Sequence, residues 1–215
     1  MNKRRILGIA LSLCVVAILA VGASLAFFTD TKTATNTFTM GNVLIKLDET
    51  DVTNPEGDRV QNNEYNVYPG AVVTKDPIVH NVGKNAAYIR ATVNVENWMN
   101  TCAAYYPEYK KTYGQEGYEQ SLMLLVDKLG EGWSIVGVEP GKPFELTNFS
   151  AKFILKYEGT LAVGADTTAM FTKVKVPAGI TNGNTLGTIT VKAEAMQADG
   201  FDTWEAAFAA FDAQK

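Results

Sequence analysis

Histidine and cysteine are almost absent from this chain: its 215 residues include one histidine, His80, and two cysteines, Cys14 and Cys102. A catalytic zinc site asks for about three His or carboxylate ligands around an open position, often announced by His-Glu-x-x-His, and no such run occurs. Serine and cysteine mechanisms meet the same shortage, since any nucleophile, Cys102 included, has only His80 as an imidazole partner. A lone histidine in an alternating strand, as in Val79-His80-Asn81, is a structural residue far more often than a catalytic one. The chain is therefore expected not to be an enzyme, and no catalytic, cofactor-binding or metal-binding residue is assigned.

Runs of basic residues are also missing, except at the start. There Lys3-Arg4-Arg5 precedes an apolar stretch from Ile6 to Val21, followed by small residues up to Ser24-Leu25-Ala26. This is the three-part pattern of a signal peptide, with Ser24 and Ala26 at the third and first positions before the expected cut. A permanent anchor is the alternative, since the apolar stretch approaches the roughly 20 residues that span a bilayer, but the small residues favour cleavage. A lipoprotein reading on Cys14 is disfavoured by Leu13, which stands where a small residue is wanted. Cleavage after Ala26 leaves 189 residues, enough for one domain with a sizeable core, and takes the formal charge from −4 to −7. Such a balance disfavours nucleic acid and anionic membrane as partners, leaving membrane contact to the uncleaved signal. Only Cys102 remains after the cut, so an intramolecular disulfide is excluded and packing must hold the exported fold. That thiol is expected to be buried and inert, with a crosslink between two chains as its alternative role.

Long helical periods are scarce in the rest of the chain. Val43, Ile45 and Leu47 alternate with Leu44, Lys46 and Asp48; Ile78, His80 and Val82 with Val79 and Asn81; Ala87, Ile89, Ala91 and Val93 with Tyr88, Arg90, Thr92 and Asn94. Each run has the period of a strand that buries one face. Asn81-Val82-Gly83-Lys84-Asn85 is expected to close a hairpin, and Asn54-Pro55-Glu56-Gly57 and Tyr68-Pro69-Gly70 to form turns. Further strands are expected over Phe153–Tyr157, Met170–Val176 and Leu186–Ala195, with Ile189, Val191, Ala193 and Ala195 facing the core, and a turn-rich connection over Gly159–Gly164. Many short strands with Gly and Pro turns predict an all-β sandwich or barrel.

Two segments depart from this pattern. Residues 98–130 hold an aromatic and Ala-rich piece, then Leu122, Leu125, Val126 and Leu129 at helical spacing, and are expected to form a helical insertion on one edge. Tyr105, Tyr106, Tyr109 and Tyr113 serve there as packing anchors or as a binding platform. At the other end, Trp204, Phe208 and Phe211 share one face of a short C-terminal helix expected to cap the core. Acidic residues crowd one loop, at Asp48, Glu49, Asp51, Asn54, Glu56 and Asp58, but without the spacing of an EF-hand, and a solvated loop is favoured over a calcium site. Asn148-Phe149-Ser150 matches a glycosylation acceptor, a short pattern of little weight. Phe211-Asp212-Ala213-Gln214-Lys215 offers neither a sorting signal nor an apolar tail for wall anchoring.

Phe27-Phe28-Thr29-Asp30-Thr31-Lys32 and Asn36-Thr37-Phe38-Thr39-Met40-Gly41-Asn42-Val43 resemble the processed N-terminus of the TasA and camelysin family of Gram-positive bacteria. Three later blocks are also similar: Tyr68 through Arg90, Phe171 through Pro177, and Ala193 through Phe201. The resemblance implies a jelly-roll β-sandwich over residues 27–215, secretion through a SipW-like signal peptidase, and a place in the extracellular matrix or at the cell surface. It further implies a structural subunit of biofilm-matrix fibres, self-associating by donor-strand exchange and accompanied by accessory matrix proteins. The donor strand would be residues 27–40, carried by Phe27, Phe28, Asp30, Lys32 and Phe38. Residues Phe27 to Thr39 lack Pro and Gly, are rich in Thr and Phe, and span roughly 40 Å when extended. The alternatives are a monomeric surface, accessory or host-contact protein of the same fold, and, since camelysin is classed as one, a metalloprotease. Residues 27–40 as an ordinary first strand of their own subunit would make the same pairs within one chain.

Overall fold

The computed structural model of the chain describes residues 29–33, 36–37, 43–65, 67–98, 101, 122–139, 150–179 and 187–214, the first two segments by backbone alone. The described strands are β1 (Thr29–Thr33), β2 (Asn36–Thr37), β3 (Ile45–Asp48), β4 (Val72–Thr74), β5 (Ile78–Asn81), β6 (Ala87–Glu96), β7 (Trp133–Glu139), β8 (Ser150–Tyr157), β9 (Lys173–Lys175) and β10 (Ile189–Gln197). They are followed by one described α-helix, α1 (Trp204–Asp212). The class is all-β, as composition and period predict.

Six strands form an antiparallel sheet in the order β2-β1-β10-β6-β8-β7. Its centre is built by alternation: Ala87, Ile89, Ala91, Val93 and Val95 of β6 are all fully buried, beside Phe153 and Leu155 of β8 and Ala193 and Ala195 of β10. Two smaller pairs, β3-β5 and β4-β9, supply further backbone ladders. Residues 161–170 extend the first of these by hydrogen bonding along β5, where Thr167 N–H donates to Val79 O and Asn81 N–H to Ala165 O, both at 2.9 Å. Val43, Ile45, Leu47 and Val79 join the core of the large sheet, as do Met170, Phe171 and Val174. Trp98 packs edge-on against Phe153, with ring centroids 5.4 Å apart.

Turn chemistry follows the sequence at Tyr68-Pro69-Gly70, where Gly70 takes φ 81° and Ala71 N–H donates to Tyr68 O, as a type II turn demands. It departs from expectation at Asn81–Asn85. This segment closes no hairpin: β5 pairs with β3, whereas β6 pairs with β10 and β8, so the chain crosses between sheets. The redirection is made by the buried Asn81 side chain, whose Nδ2 donates to Asn85 O and Leu161 O and whose Oδ1 accepts from Gly83 N–H. On β5 itself the buried set is Val79 and Asn81, while Ile78 and His80 are half-buried and Val82 is exposed.

Three further differences have physical causes. Strand β7 has no counterpart among the expected strands, because a bulge between Ile135 and Gly137 breaks its alternation. The expected strand over Met170–Val176 is confined to Lys173–Lys175, since the adjacent Met170 and Phe171 are both fully buried, which a two-sided strand period does not allow. Of the insertion, the described ends are Trp98, Thr101 and residues 122–130; Trp98, Thr101 and Leu122 are helical as expected, but residues 123–125 form a turn and Val126 bridges to Val174 of β9, so helical spacing does not run on to Leu129. The insertion's other residues, the four tyrosines and Cys102 among them, lie outside the described residues, as do Asn148 and Phe149.

Helix α1 begins where Thr203 Oγ1 accepts from Ala206 N–H at 3.1 Å, a standard N-cap. It packs on the face of the large sheet opposite the main core, making a second cluster of Phe208, Phe211 and Ala207 with Tyr88 and Met196. Its aromatics thus cover the outer face of β6 and β10 rather than cap the core between layers. Trp204 Nε1 donates to Ile89 O at 2.8 Å.

Candidate functional site at the edge of β10

Of the residues expected to form a donor strand, Asp30 and Lys32 lie in β1; Phe27, Phe28 and Phe38, with Ser24 and Ala26 of the expected cleavage site, lie outside the described residues. Strand β1 pairs with β10 of its own chain, setting Thr29, Asp30, Thr31 and Lys32 opposite Met196, Ala195, Glu194 and Ala193. Its outer side is met by β2, through Lys32 opposite Thr37 and Thr33 opposite Asn36. The first described strand therefore closes against the last described strand.

Strand β10 is presented to β1 by firm supports. Its inner face carries Ala193 and Ala195, small enough for close layer packing, and Gly187 just before it lies so near Glu96 that a Cβ there would stand 2.6 Å from the Glu96 carbonyl carbon. On the outer face, Glu194 is 3% exposed and directly opposite Arg90 of β6. Arg90 Nε donates to Glu194 Oε2 at 2.8 Å, while its two terminal nitrogens form a fork onto Asp212 of α1, both at 2.7 Å. The guanidinium also stacks 4.4 Å from the Phe208 ring centroid. Lys192 Nζ donates to the second Glu194 oxygen at 2.7 Å. Burial opposes the Glu194 anion, but Lys192 and Arg90 hold its carboxyl below the usual range.

The pairing of β10 is uneven. On the β6 side all of Ile189–Gln197 is in register, whereas β1 covers only Ala193–Met196, leaving Ile189–Lys192 without a partner strand on that side among the described residues. A cleft of about 390 Å³ opens beside this stretch, with Leu47, Tyr65, Val73, Val174, Ile189 and Val191 among its walls. Glu49, Asn63 and Lys75 also line it.

The acidic loop is resolved into separate ion pairs. Asp48, almost fully buried, receives Lys46, Arg59 and His80; Arg59 continues to Asp76, and Glu49 pairs with Lys75. Asp51 accepts from the backbone of Thr53 and Asn54, a local turn. Burial acts against the Asp48 anion, and the hydrogen bonds of Lys46, His80 and Arg59 outweigh it, keeping the carboxyl below its ordinary range. His80 uses both ring nitrogens on carboxylates, Nε2 at 2.9 Å from Asp48 and Nδ1 at 2.7 Å from Asp166. Among the described residues no group of three or more His, Cys, Asp or Glu side chains is arranged to hold a metal ion.

No family model, curated protein or solved structure matches this chain. The chain's own geometry then carries the functional reading. Sequence reasoning identified the first strand but missed Arg90, which stands in a strand as one of the alternating polar residues and gives no local sign that Glu194 and Asp212 will converge on it.

Proposed function

We propose that this chain is an exported structural subunit that self-associates into extracellular matrix fibres, its fold a jelly-roll β-sandwich and its N-terminal strand the joint between copies. The observation that carries this reading is the place of β1: it follows the expected cleavage site directly and adds to the last strand through four register pairs. A strand of this kind is separable, because the rest of the large sheet is complete through β10 without it. The same pairs made with the β10 of a second copy would leave every backbone hydrogen bond in place, so exchange costs little in pairing and is governed by concentration. Each ladder bond contributes a net ~0.5–1.5 kcal/mol, and burying a Phe from the segment before β1 would add about 1.5–3 kcal/mol. Cleavage of the signal would release this strand from the membrane and so permit the joint.

The test is electron microscopy of Phe27–Lys215 beside a truncation beginning at Gly41, both at high concentration. Fibres from the first and none from a folded second support the reading. A mature chain that stays monomeric in every condition overturns it in favour of a monomeric surface or accessory protein.

A further inference from the structure

Glu49, Asn63 and Lys75 come together from three separate stretches of chain in the wall of the cleft. Glu49 is 4% exposed, and its two oxygens are divided between the other two side chains. Lys75 Nζ donates to Oε2 at 2.7 Å, and Asn63 Nδ2 donates to Oε1 at 3.1 Å. The carboxamide is fixed at every corner: Nδ2 also donates to Thr50 O at 2.8 Å, while Oδ1 accepts the Val52 N–H at 3.0 Å. Reversing the amide would break all three contacts. The Lys75 ammonium is itself largely enclosed, with a side-chain exposure of 12%, and the Tyr65 ring lies beside it at 5.6 Å.

An ordinary buried ion pair needs an amine and a carboxylate. Here the carboxylate also holds a carboxamide whose carbonyl oxygen faces a backbone N–H, which is the placement of an amine, a proton carrier and an electrophile with its oxyanion donor. We infer that Glu49 promotes a spontaneous intramolecular isopeptide bond between Lys75 and Asn63. Glu49 takes a proton from Nζ, and the freed Nζ lone pair forms a bond to Asn63 Cγ. The C–O electrons collect on Oδ1, facing the Val52 N–H. Glu49 passes its proton to Nδ2; the Cγ–Nδ2 bond breaks as the carbonyl re-forms, and the second Nζ proton departs with ammonia as ammonium. Nothing is oxidised or reduced, and no co-reactant is required. The adjoining cleft gives the ammonium a way out. Contact with one carboxylate gathers the amine and the carboxamide at a single acid–base group.

The consequence suits a chain whose expected mature form keeps a single cysteine. A covalent clasp would tie the loop after β3 to β4 without a disulfide, in the part of the molecule that walls the cleft. This inference is independent of fibre formation and stands or falls on the chemistry of one chain.

Tryptic mapping of the purified mature chain, with intact-mass measurement, tests it. Trypsin cannot cut after an acylated lysine, so the expected product is the peptide Val60–Lys84, uncut after Lys75 and lighter by one ammonia. Glu49→Gln should restore the full mass and the cut. Lys75→Arg keeps the charge on Glu49 without the nucleophile and should likewise give full mass, with folding checked by circular dichroism. Cleavage after Lys75 with unaltered peptide masses in the folded wild-type chain overturns the inference. Loss of ammonia with Lys75 still cleavable, the mark of a cyclic imide at Asn63, overturns it equally.

Discussion

The two sides of β10 are held very differently. Toward β6 the strand is in register from Ile189 to Gln197, its inner alanines are buried in the main core, and its outer Glu194 is tied through Arg90 to the helix. Toward β1 it has register partners, among the described residues, only from Ala193 to Met196. One side is fixed by long-range packing and buried charge; the other is a short ladder made by the chain's own beginning. A strand rigid on one side and lightly covered on the other is the form an exchangeable joint needs, because the acceptor must keep its shape when the donor leaves.

The comparison can be broken most severely from the β6 side. Phe153→Ala empties space against Trp98 in the main core and should cost about 3–5 kcal/mol, read as a lower urea midpoint, with assembly lost because the acceptor no longer holds. Arg90→Ala removes the guanidinium that joins buried Glu194 to Asp212 of α1, for a loss of about 3 kcal/mol and a red shift of tryptophan emission as α1 loosens. Deleting residues up to Met40 acts on the other side. It removes four register pairs and should lower stability by about 2–4 kcal/mol while leaving the core cooperative and abolishing assembly.

Acid sharpens the contrast in a different way. The folded carboxyls of Glu194, Asp48 and Asp76 lie below their ordinary values, because their cationic and hydrogen-bond partners outweigh desolvation. A depressed folded pKa gives stability that is fully present above the ordinary carboxylate range, about pH 4, and is lost as pH falls through the folded value. The urea midpoint should accordingly fall as pH drops below about 4, with a smaller acid slope in Asp48→Asn. A rise in stability on acidification would contradict this assignment of charges. The smallest effect belongs to Thr203→Ala, which removes the N-cap of α1 and should cost about 1 kcal/mol without touching β1.

Much of the fixed side is readable from the residues alone. The alternation at Ile45 and Leu47, at Ile89, Ala91 and Val93, and at Val191, Ala193 and Ala195 names strands and inward faces, because a period of two leaves little choice once one face is buried. Alternation says nothing of which sheet a strand joins, which is why the Asn81–Asn85 turn reads as a hairpin although it is a crossing. It also fails at a bulge, and β7 is hidden for that reason. Arg90 and Glu194 read as surface residues because strand position alone cannot foresee that Phe208 and Phe211 will cover them. The Glu49, Asn63 and Lys75 cluster has no local sign either: its members lie 14 and 26 residues from Glu49. What the residues do carry on the β1 side is its place next to the expected export signal and its Thr-rich strand composition.

The central claim is that β1 pairs with the β10 of a neighbouring copy in the assembled state. Directly opposed residues of antiparallel strands lie about 4.5–5.5 Å apart at Cα, within disulfide reach, so Asp30→Cys with Ala195→Cys in a Cys102→Ser chain reports which copy supplies the strand. Oxidised after incubation at high concentration and run on a non-reducing gel, this variant should give a ladder of covalent multimers that collapses on reduction. A single band of internally bridged monomer under the same conditions would contradict the account.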